Sequence, residues 1–251
     1  MIVIPMAGLS RRFLDAGYSQ PKYMLPLHGR SVFSHAVASF AAYFATEPFL
    51  FIARDIDDTV KFITAECAAL GIRDATVATL TAPTAGQAET VELGLQQAGV
   101  AGATALTIFN IDTFRPGFLF PEAAWWPHSD GYLEVFRGQG ANWSYVRPAP
   151  GEEPLALETA EKRPISDLCC SGLYHFARAG DFLAALKEER ESPSSPELYV
   201  APLYNHLIRR GMRIHWQLIS SDEVVFCGVP AEYQELLASA RTATEVSSSR
   251  D

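Results

Sequence analysis

The sequence predicts a single α/β domain on a mixed, mostly parallel sheet flanked by helices, with antiparallel strands added in its second half. Three observations carry this reading. Between Met1 and Asn110, the apolar runs IVIP, PFLFIAR, ATVATL and ALTIFN alternate with stretches at helical spacing. Such alternation implies right-handed βαβ crossovers and therefore parallel pairing. After Asp112 the order changes: DGYLEVF, WSYV and CSGLYHF succeed one another with no helix between them. Finally, 251 residues with 48% hydrophobic and 20% charged content supply one sizeable core.

IVIP opens the chain as a short, β-branched run and reads as a buried strand. A loop extends from Met6 to about Arg30, punctuated by Gly8, Gly17, Pro21, Pro26 and Gly29. Ser31 caps a helix running to about Phe44. Pro48–Arg54 is the second strand, and an amphipathic helix from Asp57 to about Leu70 ends at Gly71. Ala75–Leu80 is the third strand, the turn TAPTAG leads into a helix over Gln87–Gln97, and Ala105–Asn110 is the fourth strand. Later helices fall near Asp181–Glu189 and Glu197–Arg210, followed by the strand RIHWQLI and a helix from about Ala231. The domain spans 1–240, and the polar stretch 241–251 reads as a disordered tail.

A net charge of -9 disfavours a nucleic-acid partner. No apolar run approaches the roughly 20 residues that span a bilayer, and MIVIPMAG does not resemble a signal peptide, so the expected compartment is the cytoplasm. Cys67, Cys169, Cys170 and Cys227 lack zinc-ligand spacing and read as reduced core residues. No GxSxG elbow or HxxxH pair appears. His28, His35, His128, His175, His206 and His215 are scattered, of which His175 and His206 are candidates to line a pocket.

Chemistry concentrates in the first loop, PMAGLSRRFLDAGYSQPKYMLPL. In open α/β sheets, ligands gather beyond the carboxyl ends of the strands. Gly8 lets the backbone approach a ligand, and Arg11, Arg12 and Lys22 gather positive charge in an otherwise acidic chain, an address for phosphate. AGLSRRF followed by QPKYMLPLHGRSV resembles the signature of the sugar-phosphate nucleotidyltransferase family. Gly8 matches its first loop glycine, Arg12 its arginine, and Pro21-Lys22 its PK pair; Ser10 replaces the second glycine and Arg11 a threonine. TAGQAETVELGL is similar to the family's base-recognition loop, FNIDTF to its metal-binding strand end, and LETAEKRPISDLCCSGLYHF to its acceptor-binding stretch. PELYVAPLYNHLIRRG and VFCGVPAEYQEL continue the likeness in the right order.

The resemblance implies a Rossmann-like (GT-A-like) fold and roles for specific residues. Ala7, Gly8, Leu9, Ser10 and Arg11 would bind the nucleotide, with Gly86 and Gln87 at its base. Arg12 and Lys22 would hold the triphosphate and stabilise departing pyrophosphate, and Asp112 would hold Mg²⁺. Glu161 would bond acceptor hydroxyls with help from Glu158, Lys162 would take the acceptor phosphate, and Gly172 would keep its strand thin. Phe226 stands where the family commonly has a second metal-binding aspartate, leaving Asp222 or Glu223 as candidates to replace it. The implied reaction transfers NMP from an NTP, a pyrimidine favoured, to a sugar phosphate or similar phosphorylated small molecule, for capsule or lipopolysaccharide precursors. Two alternatives remain. One is a glycosyltransferase that uses the NxD of Asn110 and Asp112; the other is a non-catalytic nucleotide-binding homologue. Trp125, Trp126, Trp143 and Tyr145 read as packing, an acceptor-stacking wall or a homo-oligomer surface.

Overall fold

The computed structural model describes residues 1–248. β1 (Ile2–Pro5) is buried along its whole length. The loop after it contains a short helix that the sequence pattern did not announce, α1 (Arg11–Asp15). β2 (Pro26–Leu27) and β3 (Arg30–Ser31) form a hairpin whose turn residues, His28 and Gly29, take φ of 49° and 79°. Positive φ at both turn positions matches the twist of a two-residue hairpin. Ser31 caps α2 (Val32–Val37), its hydroxyl accepting from the Ser34 amide at 3.0 Å. The helix expected to reach Phe44 stays α-helical only to Val37. A tighter 3-10 segment follows, interrupted at Phe40 by φ −99° and ψ 24°.

β4 (Phe49–Arg54) leads to α3 (Thr59–Leu70), which starts after the left-handed pair Asp57 and Asp58 and is closed by Gly71 at φ 77°. β5 (Ala75–Leu80), α4 (Gln87–Gln97) and β6 (Leu106–Phe109) complete the parallel half. Its strands lie side by side as β6-β1-β4-β5, all parallel.

After β7 (Thr113–Phe114) come β8 (Gly131–Arg137), β9 (Ser144–Pro148), β10 (Ala156–Glu161) and β11 (Leu168–Phe176). β11 is the hinge of the nine-stranded sheet, pairing antiparallel with β6, β8 and β9. β10 lacks the apolar run that marks the other strands: Leu157 is exposed, and Glu158 pairs with Arg147 and Arg163. Those charges suit the sheet edge it occupies. α5 (Ala179–Glu191) and α6 (Tyr204–Arg209) follow. The helix expected from Glu197 begins at Ala201, where Pro202 opens a 3-10 turn. β12 (Ile214–Leu218) joins β8 in parallel, and β13 (Val225–Phe226) pairs with β7. α7 (Pro230–Ser248) runs into the stretch expected as a tail, of which residues 249–251 lie outside the described residues.

Side chains alternate across the sheet as strand geometry requires. Val3, Leu50 and Ile52 face α4, α5 and α6; Ile2, Ile4, Phe49 and Phe51 face α2, α3 and α7. Cys169 and Cys170 fall into different core clusters, and all four cysteines are free and buried. Among the described residues, no helix is long and apolar enough to cross a membrane.

Candidate active site

The strand order fixes where a ligand can enter. The chain passes from β1 outward to β4 and β5, then returns to β6 on the other flank of β1. Loops leaving the carboxyl ends of β1 and β6 therefore diverge and open a crevice. That crevice is a cleft of about 890 Å³, lined by Ala7–Arg12, Lys22, Gly86, Gln87, Asn110, Asp112 and Glu161 among others.

At one end lies the β1 loop. Ser10 adopts φ 50° and precedes α1, whose first hydrogen bond runs from Phe13 N to Ser10 O at 2.9 Å. None of the amides from Gly8 to Arg12 meets a protein acceptor among the described residues. Consecutive open amides beside Arg11 and Arg12 are donors of the kind with which a loop can hold an anion. Arg54 steadies the loop from behind, its Nε donating to Ala7 O at 3.2 Å.

Lys22 and Asp112 meet at the centre, Nζ to Oδ2 at 2.5 Å, although 90 positions separate them. Burial alone would push the Asp112 carboxyl up. The Lys22 ammonium, with Arg12 beyond it, outweighs burial and holds the carboxyl below the usual aspartate range. Asn110, two residues earlier, turns the other way: Gln87 Nε2 donates to its Oδ1 at 2.6 Å. The NxD segment thus serves two partners. Gly86, expected to admit a base, is required by the protein itself. A Cβ there would lie 2.5 Å from Leu198 O, and φ is 152°. Gly172, at φ 101°, likewise leaves room for Asn110, whose Nδ2 would sit 2.6 Å from an added Cβ.

The carboxylates expected to replace the missing aspartate lie elsewhere. Glu223 bonds Arg115 at 3.0 Å, Asp222 interacts with Ser220, and neither lines the cleft. Phe226 does line it, packed on Trp143 with ring centroids 4.6 Å apart. The acid that reaches the cleft from the last helix is Glu232, its Oε2 accepting from Gly228 N at 2.7 Å. Only its position in the first turn of a helix hinted at it, a place where carboxylates are favoured. Among the described residues no group of three His, Cys, Asp or Glu side chains converges. A magnesium ion here would rest on Asp112 with phosphate oxygens and water, an arrangement that suits this ion.

The far end is acidic and aromatic. Glu161 accepts from the Ser144 hydroxyl, and burial pushes its carboxyl up more than Ser144 and Lys162 pull it down. Glu197, Tyr199, Trp143 and Phe226 complete this end. Lys162, at φ 53°, stands at the rim rather than in the wall, with Nζ donating to Tyr199 OH at 2.5 Å. Glu158 is taken by Arg147 and Arg163. His175 bonds Thr107 and His206 bonds Glu188 and Glu189, so neither faces the cleft. Trp125 stacks on His215 and Trp126 on Phe120, which makes the WWPH cluster packing.

Neither a family model nor a curated protein matches the chain. Solved structures do. A nucleoside-diphosphate-sugar pyrophosphorylase from Vibrio cholerae RC9 shares 53% identity over 95% of this chain and 100% of that one, with a TM-score of 0.91. A UDP-glucose pyrophosphorylase complexed with UDP-glucose shares 14% identity over 96% and 98%, TM-score 0.74. Another, from Acinetobacter baumannii, shares 16% over 94% and 91%, TM-score 0.67. The last two are similar in fold alone.

Proposed function

The chain belongs to the nucleoside-diphosphate-sugar pyrophosphorylase family of nucleotidyltransferases, and from that premise we propose that it transfers NMP from a pyrimidine NTP to a phosphorylated small molecule, releasing pyrophosphate. The observation that carries this reading is the Lys22–Asp112 pair beside the open amides of Gly8–Arg12 at the sheet's switch point.

In the proposed reaction, an acceptor phosphate oxygen attacks the α-phosphorus in line. One P–O bond forms as the bond to the β-phosphate breaks, and pyrophosphate leaves. A phosphomonoester with a second pKa of about 6 is already ionised at neutral pH, so no strong general base is needed. Positioning and charge compensation supply the rate. The Gly8–Arg12 amides, Arg12 and Lys22 bind the triphosphate and stabilise the leaving group. When bound on Asp112, Mg²⁺ offsets repulsion between the two anionic reactants. Gln87, its Nε2 committed to Asn110, offers its carbonyl oxygen to an N–H of the base. Lys162 turns from Tyr199 to the acceptor phosphate, and Glu161 holds the acceptor's other end. We assign the product to precursors of surface polysaccharide, following the resemblance of its motifs.

The test is pyrophosphate release from CTP, dTTP, UTP, GTP and ATP with Mg²⁺ and a panel of phosphorylated acceptors. Release is expected for one pyrimidine nucleotide and one acceptor class. Lys22→Ala and Asp112→Ala should each lower the rate by about 10²–10³, the usual cost of losing one such charge contact. Nucleoside diphosphate appearing from a nucleotide sugar would instead favour a glycosyltransferase. NTP binding without turnover would favour a regulatory homologue.

A further inference from the structure

The cations that line the cleft, Arg11, Arg12 and Lys22, all belong to its nucleotide end. The acceptor end has the opposite character. Glu161 and Glu197 bring two carboxylates, while Trp143, Phe226 and Tyr199 bring aromatic surface. The Trp143–Phe226 wall is backed by Phe136, with centroids 5.1 and 5.2 Å away.

This end also already holds a cation. The Lys162 ammonium lies 4.5 Å from the centroid of the Tyr199 ring and donates to its hydroxyl at 2.5 Å. That hydroxyl, then Glu161 and Glu197, outweigh desolvation and raise the ammonium's affinity for its proton. The ammonium sits at the hydroxyl end of the Tyr199 ring, and aromatic rings are the groups on which ammonium ligands are recognised. Lys162 reaches this niche on a flexible stem from a left-handed backbone position at the rim, so it can leave.

We propose that the acceptor is a phosphorylated amino alcohol or quaternary-ammonium alcohol, its cationic head taking the Tyr199–Glu161–Glu197 niche as Lys162 swings to the acceptor phosphate. The proposal rests on the nucleotidyl-transfer reading above and names its substrate class. One exchange of cations satisfies both ends of the acceptor. It also keeps a positive charge near Glu161, whose carboxyl Lys162 pulls down in the free protein. A neutral sugar would bond the same carboxylates through hydroxyls but would leave the niche without a charge once Lys162 departs.

The experiment measures pyrophosphate release, with each NTP and Mg²⁺, from four acceptors: phosphocholine, phosphoethanolamine, dimethylbutyl phosphate and a hexose phosphate. Dimethylbutyl phosphate is the neutral isostere of phosphocholine, with carbon replacing nitrogen. The expected kcat/KM for phosphocholine exceeds that for the isostere by about tenfold or more, the scale of a desolvated cation–π contact. Tyr199→Leu, checked for folding by circular dichroism, should bring that ratio close to one. Equal use of the isostere, or preference for the hexose phosphate, overturns the cationic acceptor and leaves nucleotidyl transfer standing. An unchanged ratio in Tyr199→Leu overturns the niche. Pyrophosphate from no pair at all fails the nucleotidyl-transfer reading and this proposal with it.

Discussion

The Lys22 ammonium holds Asp112 in its charged form. Because Asp112 titrates below its ordinary range in the folded protein, its contribution to stability is present above the unfolded value of about 3.9 and is lost as pH falls through the folded value. Lys22→Met should reverse this. Burial then acts against only a backbone hydrogen bond and Arg12, so the carboxyl titrates higher and the acid limb of stability moves up in pH. Carboxyl-carbon NMR of Asp112 in wild type and variant measures the shift; coincident titrations would mean that Lys22 does not govern the carboxylate. At this scale the sequence was legible wherever chemistry sat in a local pattern. Residues 7–12, Lys22, Gly86, Gln87, Asp112 and Glu161 all reach one cleft from separate segments. Glu197, Tyr199 and Glu232 were not singled out, because their role comes from what they face across the cleft and not from their neighbours in sequence. Lys162 and Gly172 stand beside the cleft, one at its rim and one behind Asn110.

Helix α4 depends on a contact with a segment more than a hundred residues away in sequence. Leu198 N donates to Ala85 O at 3.0 Å, and Ala88 N donates to Leu198 O at 2.8 Å, clamping the helix start to the strand-like stretch before α6. Gly86 lies inside that clamp. Gly86→Ala would press a methyl group onto the Leu198 backbone, which has no rotamer through which to yield. The expected cost is about 1–3 kcal/mol, as for overpacking elsewhere. Displacement of Leu198 should also carry Tyr199 with it and raise the acceptor KM more than the nucleotide KM. Urea midpoints and the two KM values check this; a stable variant with a selective nucleotide defect would return Gly86 to a base-binding role. The same clamp explains why the helix read from Glu197 starts late. Glu197–Val200 is held by α4, a tertiary constraint that helical periodicity does not register. The alternating first half was legible because each strand carries its own apolar run, whereas β10 hid behind edge charges.

Across the whole molecule, the proposed nucleotide end rests on the parallel half of the sheet and the proposed acceptor end on the antiparallel half, so the proposed reaction needs the two in register. One charge network, buried at Arg115 and Glu134 and exposed at Glu223, ties together segments around the cleft. Arg115, just after β7, bonds Glu134 of β8 at 3.1 Å and Glu223 before β13 at 3.0 Å; Ser171 of β11 donates to Glu134 at 2.9 Å. The Arg115 backbone N–H is anchored on Ser39 at 2.9 Å. Burial pushes the Glu134 carboxyl up, and Arg115 and Ser171 only partly restrain it. Arg115→Met should therefore cost about 3–5 kcal/mol at neutral pH by leaving a buried carboxylate without its cation. The pH dependence follows from the sign of the shift. A carboxyl raised in the folded state favours folding below its unfolded value and loses that advantage as pH rises through the folded value. Without Arg115 the folded value climbs further, so the variant's deficit should shrink on acidification, as Glu134 becomes a neutral acid still bonded to Ser171. Urea unfolding of both proteins at about pH 5 and about pH 8 reads this directly. Adding Glu134→Gln to Arg115→Met should recover part of the loss at the higher pH and little at the lower. A deficit that is equal at both pH values, and unmoved by Glu134→Gln, would assign the loss to side-chain packing of Arg115 and remove the charge network from the account of how the two halves stay aligned.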